Sequence, residues 1–269
     1  MRRLIPFVVL SVGILVACSG GKSENSQSAL PPSLPQSDAT RSVSVAATAA
    51  PTPMATLHPY SRNVYGTDNL FTPNDGDTAS GGQTPGQKIG KFTCAPQMYD
   101  ALTNYHVHPF LGILYNGTRI AVPDAIGMPG AAPENPSGWT GSAKCYFGIH
   151  THDSSGYIHI ESNLLTSSQR KESLATLGDL LNIWGQPLTP TQFGPFSGAV
   201  RVFYANTDLG DTITGNATPY QGHPAHPYLQ WTSAFSSLPL YSHEAIWIEV
   251  GSTYVPASRL PAVVFDIQY

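Results

Sequence analysis

Charge is what this sequence has least of. Only 11% of its 269 residues are Asp, Glu, Lys or Arg, against about 25% in a typical soluble domain. No cluster of Lys or Arg occurs along the chain and the net charge is −4, so there is no basic face for a phosphate backbone and nucleic acid is excluded as an expected partner. Nucleophile signatures are missing as well. The chain has no Gly-x-Ser-x-Gly, no His-Glu-x-x-His and no phosphate-binding glycine loop, which removes the usual support for hydrolase chemistry. Beyond the first twenty residues no apolar run is long enough to suggest a membrane span. Gly and Pro, in contrast, number 25 and 24. That balance means many turns and few long amphipathic helices, and it predicts a β-rich fold.

The N-terminus reads Met1-Arg2-Arg3, an apolar run from Leu4 to Ala17, then Cys18, which is the charged head and short apolar core of a secretory signal. Leu15-Val16-Ala17-Cys18 resembles the lipobox of bacterial lipoproteins. That resemblance implies cleavage before Cys18 and a diacylglyceride on its thiol; the plainer alternative is an ordinary signal with a chance cysteine. Ser19 to Leu57 is rich in Ser, Ala, Pro and Thr without apolar periodicity, a composition that cannot offset its ordering entropy and reads as a disordered tether. The expected layout is therefore a signal peptide over 1–17, a lipidated Cys18 with tether over 18–57, and a single β-rich domain over 58–269. Such a protein sits in the cell envelope outside the cytoplasm, with the membrane as partner through its lipid. Ser19 in place of a retention aspartate points to the outer membrane in a cell with two membranes. Of the chain's three cysteines, Cys94 and Cys145 remain. In an oxidising compartment they read as a disulfide, the alternative being Cys145 as a copper thiolate five residues before His150.

Residues 58–92 read as an irregular lead-in with at most short strands. Phe110 to Tyr115 and Arg119 to Val122 flank Asn116-Gly117, a strong hairpin signal, with His106 and His108 at or just before the first strand. Pro123 to Gly141 is a loop. Lys144 to His152 and Tyr157 to Ser162 form a second hairpin around Asp153-Ser154-Ser155-Gly156. One helix follows: Thr176 caps it, Asp179 closes a capping box, Leu177, Leu180, Leu181 and Trp184 make one apolar stripe, and Gly185 and Pro187 end it. Ala199 to Tyr204 and Ala245 to Val250 are strands, Asp208 to Trp231 is loop, and Pro256 onward is an extended tail. These elements predict an α+β fold, a mainly antiparallel β-sheet with one short helix packed on it and covered on that one face, as in β-grasp-like folds.

Five of the nine histidines fall between residues 106 and 159. They come as His106-x-His108, His150-x-His152 and His159-x-Glu161, and residues i and i+2 of a strand share a face. An even turn centred on Ser154-Ser155 sets His150 opposite His159 and His152 opposite Tyr157. All four of His150, His152, His159 and Glu161 then face one side, with cross-strand Cβ atoms about 5 Å apart. An odd turn scatters them. His106 and His108 close the site from the neighbouring hairpin. Imidazoles with one carboxylate suit a transition metal, copper or zinc first, over Ca or Mg. The bland alternative is a solvated polar sheet face. Asp153 is expected to form the turn first and support a ligand second; Tyr157 is expected to pack, with a hydrogen bond to a ligand as its other role. His223 and His226 are assigned to a Pro-rich loop, and His243-Glu244 to a rim contact.

The run from Tyr105 to Trp184 resembles an uncharacterised family of exported bacterial and archaeal proteins. The shared landmarks are His106-x-His108, Asn116-Gly117, Val122-Pro123 with Ile126-Gly127, then His150-Thr151-His152-Asp153-x-Ser155-Gly156-x-Ile158-His159-x-Glu161-Ser162. Thr176-Leu177-Gly178-Asp179, Trp184-Gly185 and the segment from His243-Glu244 to Gly251 complete them. Leu180-Leu181 departs from the paired phenylalanines of relatives, a core exchange that leaves the site alone. The resemblance implies membership and no particular reaction. Three functions stay open: a metal-binding envelope lipoprotein, a cupin-like metalloenzyme holding its metal by three His and one Glu, and a non-catalytic surface module without metal.

Overall fold

The structure, a computed structural model, describes residues 84–99, 103–132, 138–206, 228–263 and 265. The signal peptide, the tether and Cys18 lie outside the described residues, as do His223 and His226. Among the described residues no helix is long and apolar enough to cross a membrane.

In chain order the strands begin with β1 (Lys88–Ile89), β2 (Phe92–Thr93), β3 (Asn104–Val107), β4 (Phe110–Tyr115) and β5 (Thr118–Ile120). After a loop come β6 (Ile149–His150), β7 (His159–Thr166), β8 (Ala175–Thr176) and helix α1 (Leu177–Trp184). The second half adds β9 (Leu188–Thr189), β10 (Gln192–Phe193), β11 (Phe196–Ser197), β12 (Ala199–Asn206), β13 (Leu229–Gln230), β14 (Pro239–Leu240) and β15 (Glu244–Gly251).

The main sheet has the order β13-β12-β15-β4-β5. Every pair in it is antiparallel except the central β15 and β4, which run parallel. A first hairpin, a helix, and two later strands that bring the last beside the first is the β-grasp-like arrangement the sequence predicts. The β4–β5 hairpin turns on Asn116-Gly117 with φ of 49° and 79°, the left-handed pair that a two-residue turn of matching twist requires. The Asn116 carboxamide oxygen then accepts from the backbone of Ser252 at 2.8 Å and ties the turn to the end of β15.

Alternation along β15 decides what each face buries. Ile246, Ile248 and Val250 join Leu111, Ile113, Val200 and Val202 in the core beneath α1, where Leu177, Leu180, Leu181, Ile183 and Trp184 are buried. Each such side chain removed from water contributes about 1.5–3 kcal/mol. The helix starts as expected: Thr176 Oγ1 accepts from Asp179 N, the Asp179 carboxylate accepts from Thr176 N at 2.9 Å, and Gly185 ends it at φ 77° with its N–H on Leu181 O. On the opposite face Ala245 and Trp247 meet Phe110, Leu114, Phe203 and the tail residues Leu260, Val263 and Phe265. The expectation of a sheet covered on one face is thereby corrected. The tail after Pro256 carries enough apolar side chains to close the second face.

A smaller sheet of order β3-β7-β6 takes β3 from just ahead of the first hairpin and β6 and β7 from the connection between β5 and α1. Tyr105, Val107, Ile149, Ile158 and Ile160 point into the core shared with α1, so the intervening residues of each strand face the other way. Three expectations change here. His106 lies on β3, a strand of its own that pairs with β7 instead of leading into the first hairpin. The Lys144–His152 strand reduces to Ile149–His150 plus an Ala95–Tyr146 bridge, and Tyr157 bridges Phe110 instead of facing His152. Residues 208–227 of the loop expected over Asp208–Trp231 lie outside the described residues, but Leu229–Gln230 forms an edge strand on β12. Cys94 and Cys145 form a disulfide across 51 residues, which takes the Cys145 thiolate out of any copper site.

Candidate metal centre

The central strand β7 positions the site. His150 is the register partner of His159, and His106 that of Glu161. His159 and Glu161 therefore share the face that His106 and His150 present from either side. His108 extends beyond β3 on the same parity, and His152 extends beyond β6. Across from Glu161 on the β6 side stands Gly148, where any Cβ would collide with the Glu161 carbonyl oxygen. The structure thus brings all six predicted donors together. Five of them are buried and His159 as a whole residue is half-buried. A solvated polar face does not describe this surface.

On one side of His159, its Nδ1 lies 3.2 Å from His106 Nε2 and 3.2 Å from His108 Nε2. On the other side His150 Nε2 and His152 Nε2 face each other at 3.1 Å. The Glu161 carboxylate reaches both groups, with Oε1 at 3.3 Å from His106 Nε2 and 3.9 Å from His150 Nε2. Its other oxygen accepts from Tyr99 N at 3.2 Å. Two sets, His106 with His108 and His159, and His150 with His152 and His159, have donor atoms all within 4.8 Å of one another and could hold a metal ion. Donors bound at about 2.0–2.1 Å around a tetrahedral ion sit about 3.3 Å apart, close to the separations here.

The loops fix which nitrogen is presented. His150 Nδ1 lies 3.0 Å from the Phe147 carbonyl and His152 Nδ1 lies 2.6 Å from the Thr140 carbonyl. A carbonyl only accepts, so both Nδ1 atoms carry the proton and both neutral rings turn a lone pair toward each other. Neutrality follows from burial. Desolvation holds His150 well below the usual imidazole range, with the neighbouring His152 adding to it. Desolvation also lowers His152, against the Thr140 hydrogen bond and the Asp153 charge. Desolvation brings His106 down to about 4 and takes His159 well below its ordinary value. Burial pushes the Glu161 carboxyl up to about 7, offset in part by the Tyr99 N–H. Unprotonated nitrogens crowded at hydrogen-bond distance, with a carboxylate beside them, are what a cation between them would compensate.

The supporting residues divide between those foreseen and those missed. Asp153 accepts from Ser155 N and Ser155 Oγ, at 3.0 and 2.5 Å, an Asx turn as expected, and it touches the site through its charge on His152. Tyr157 packs edge-on to His108 at 6.3 Å and against Phe265 at 5.8 Å. His243 donates its backbone N–H to His108 O at 3.2 Å, so it steadies the segment behind a candidate ligand. Glu244 is buried, its carboxyl pushed up to about 8 by desolvation. Trp139 and Thr140 belong to no motif in the sequence. Trp139 stacks on His152 with ring centroids 4.1 Å apart and 13° between planes, and Thr140 N also donates to His152 O at 2.7 Å. Both come from the Pro- and Gly-rich loop, where the one signal is a large aromatic between Gly138 and Gly141.

Compared with family models, with curated proteins and with solved structures, the chain matches none.

Proposed function

We propose that the protein is a cell-envelope lipoprotein that captures, stores or delivers a transition metal, copper or zinc, on the histidine face of its small sheet. The observation that carries this reading is the pair His150 and His152, whose Nε2 lone pairs meet at 3.1 Å while carbonyl oxygens hold both Nδ1 protons. A metal-ligating imidazole commonly donates its other ring N–H to a backbone carbonyl, which fixes its tautomer and ring direction. All-nitrogen donors with one carboxylate favour Cu or Zn over oxygen-preferring ions. The anchor rests on Leu15-Val16-Ala17-Cys18 and on the likeness of the His150–Ser162 run to exported proteins. The test is metal content of the full chain purified without chelating resin, then after incubation with Zn(II) or Cu(II) and dialysis. At least one tightly held equivalent is expected, and no stoichiometric metal in any sample overturns the reading. Mass spectrometry of the mature N-terminus tests the anchor: a diacylglyceryl group on Cys18 is expected, and an unmodified Cys18 retires it.

A metalloenzyme with three His and one Glu is the second reading, favoured by the approach of Glu161 to His106 and His150. Such a centre would need a coordination position open to water or substrate. Spectroscopy of the Co(II) form separates the two, since exchangeable water supports the enzyme and a closed shell supports carriage.

A further inference from the structure

The donors around His159 are too many and too spread for one ion. A structural zinc takes four ligands at about 2.0–2.3 Å, and here there are five imidazoles and a carboxylate. They fall into two sets that share one member, with His106 and His108 on one side of His159 and His150 and His152 on the other. Strand order explains the division: β3 and β6 flank β7, and each contributes its own His-x-His pair toward the ring in the middle. Glu161, one same-face step along β7, reaches a nitrogen of each set through a single oxygen.

We infer that the centre is dinuclear, holding two transition-metal ions, one with His106 and His108 and the other with His150 and His152, and that His159 lies between them as the shared ligand, with the Glu161 carboxylate beside both sets. The inference rests on the metal-binding reading above and goes beyond it in number and arrangement. A ring serving both ions uses both nitrogens and releases its N–H proton to solvent when the second ion binds. His150 and His152 are braced by the Phe147 and Thr140 carbonyls.

Native mass spectrometry of the full chain titrated with Zn(II) reads the number directly. Wild type is expected to take two equivalents in succession, the paired variant H106A/H108A one, and H150A/H152A one, each variant checked for wild-type circular dichroism. Should either variant fail to fold, the copper form of wild type decides alone. Two Cu(II) ions sharing ligands give an electron paramagnetic resonance spectrum with spin coupling and reduced intensity, whereas unshared ions give full uncoupled intensity. A single equivalent in saturated wild type, or two uncoupled ions, overturns the dinuclear centre while leaving metal binding intact. No bound metal at all overturns the metal-binding reading itself, and the dinuclear centre with it.

Discussion

Removing the His159 ring is the sharpest perturbation, because that ring belongs to both donor sets. With metal at about 100 times its dissociation constant, the folded wild type gains about 2.7 kcal/mol. Even changes to residues behind a ligand weaken metal affinity about 10–100-fold, and loss of the ligand itself belongs at or above the upper end. At about 100-fold weaker binding the same metal concentration only equals the dissociation constant, and the gain falls to about 0.4 kcal/mol. A domain of this size shifts its Tm by about 2–4 °C per kcal/mol. Wild type should therefore rise by about 5–11 °C on adding Zn(II), and His159→Ala by about 1 °C. In EDTA the two should differ little. The residue as a whole is half-buried, and the loss is close to one hydrogen bond, about 1 kcal/mol. Thermal unfolding followed by circular dichroism, with EDTA and with Zn(II), gives all four numbers. Equal metal shifts in wild type and variant, or no shift in wild type, would refute the reasoning.

Three further outcomes are expected. In the metal-free protein, His106 has a folded pKa near 4, below its unfolded value, so the unfolded chain binds more protons between about 4 and 6.5 and stability falls as pH drops through that window. His150, His152 and His159 shift in the same direction. Glu161, raised to about 7, acts oppositely and costs stability as pH rises from about 4.5 to 7. Urea unfolding in EDTA should show Glu161→Gln removing that alkaline-side loss, and an unchanged profile counts against the buried carboxyl. Trp139 stacks on His152, so Cu(II) should quench a part of the tryptophan fluorescence that Trp139→Phe abolishes; identical fractional quenching in both proteins would place the ion elsewhere. Replacing Cys94 and Cys145 by Ser opens a loop of 51 residues and should cost about 4 kcal/mol by chain entropy. Urea denaturation measures it, and a cost under about 1 kcal/mol would show that the lead-in is held by other contacts.

Local signals carried far in this sequence where they were self-contained. The Asn116-Gly117 turn, the Thr176–Asp179 capping box and the strand over Ala245–Val250, read from its β-branched and aromatic residues, each depend on a few neighbouring residues, and each forms as read. Pairing parity around Ser154-Ser155 set His150 against His159, because a period of two leaves only two choices and one of them buries Ile158 and Ile160. The remainder depended on distant segments. Nothing local says that Asn104–Val107 leaves the first hairpin to pair with β7, that Thr140 reaches His152, or that the tail around Phe265 closes the far face of the main sheet. His152 likewise shares its side of the cluster although its expected partner Tyr157 pairs with Phe110. A loop carbonyl does for it what a ladder does for His150.

The register of β7 reaches beyond the small sheet. Ile158 and Ile160 are fully packed under α1, so a slip of one residue along either neighbour would push both isoleucines into water and turn His159 and Glu161 into oil. The hydrophobic interior therefore sets the spacing of the nitrogens before any ion arrives. An ion entering it would meet a frame of fixed size, and on the metal-binding proposal the ions favoured would be those whose bond lengths match that frame.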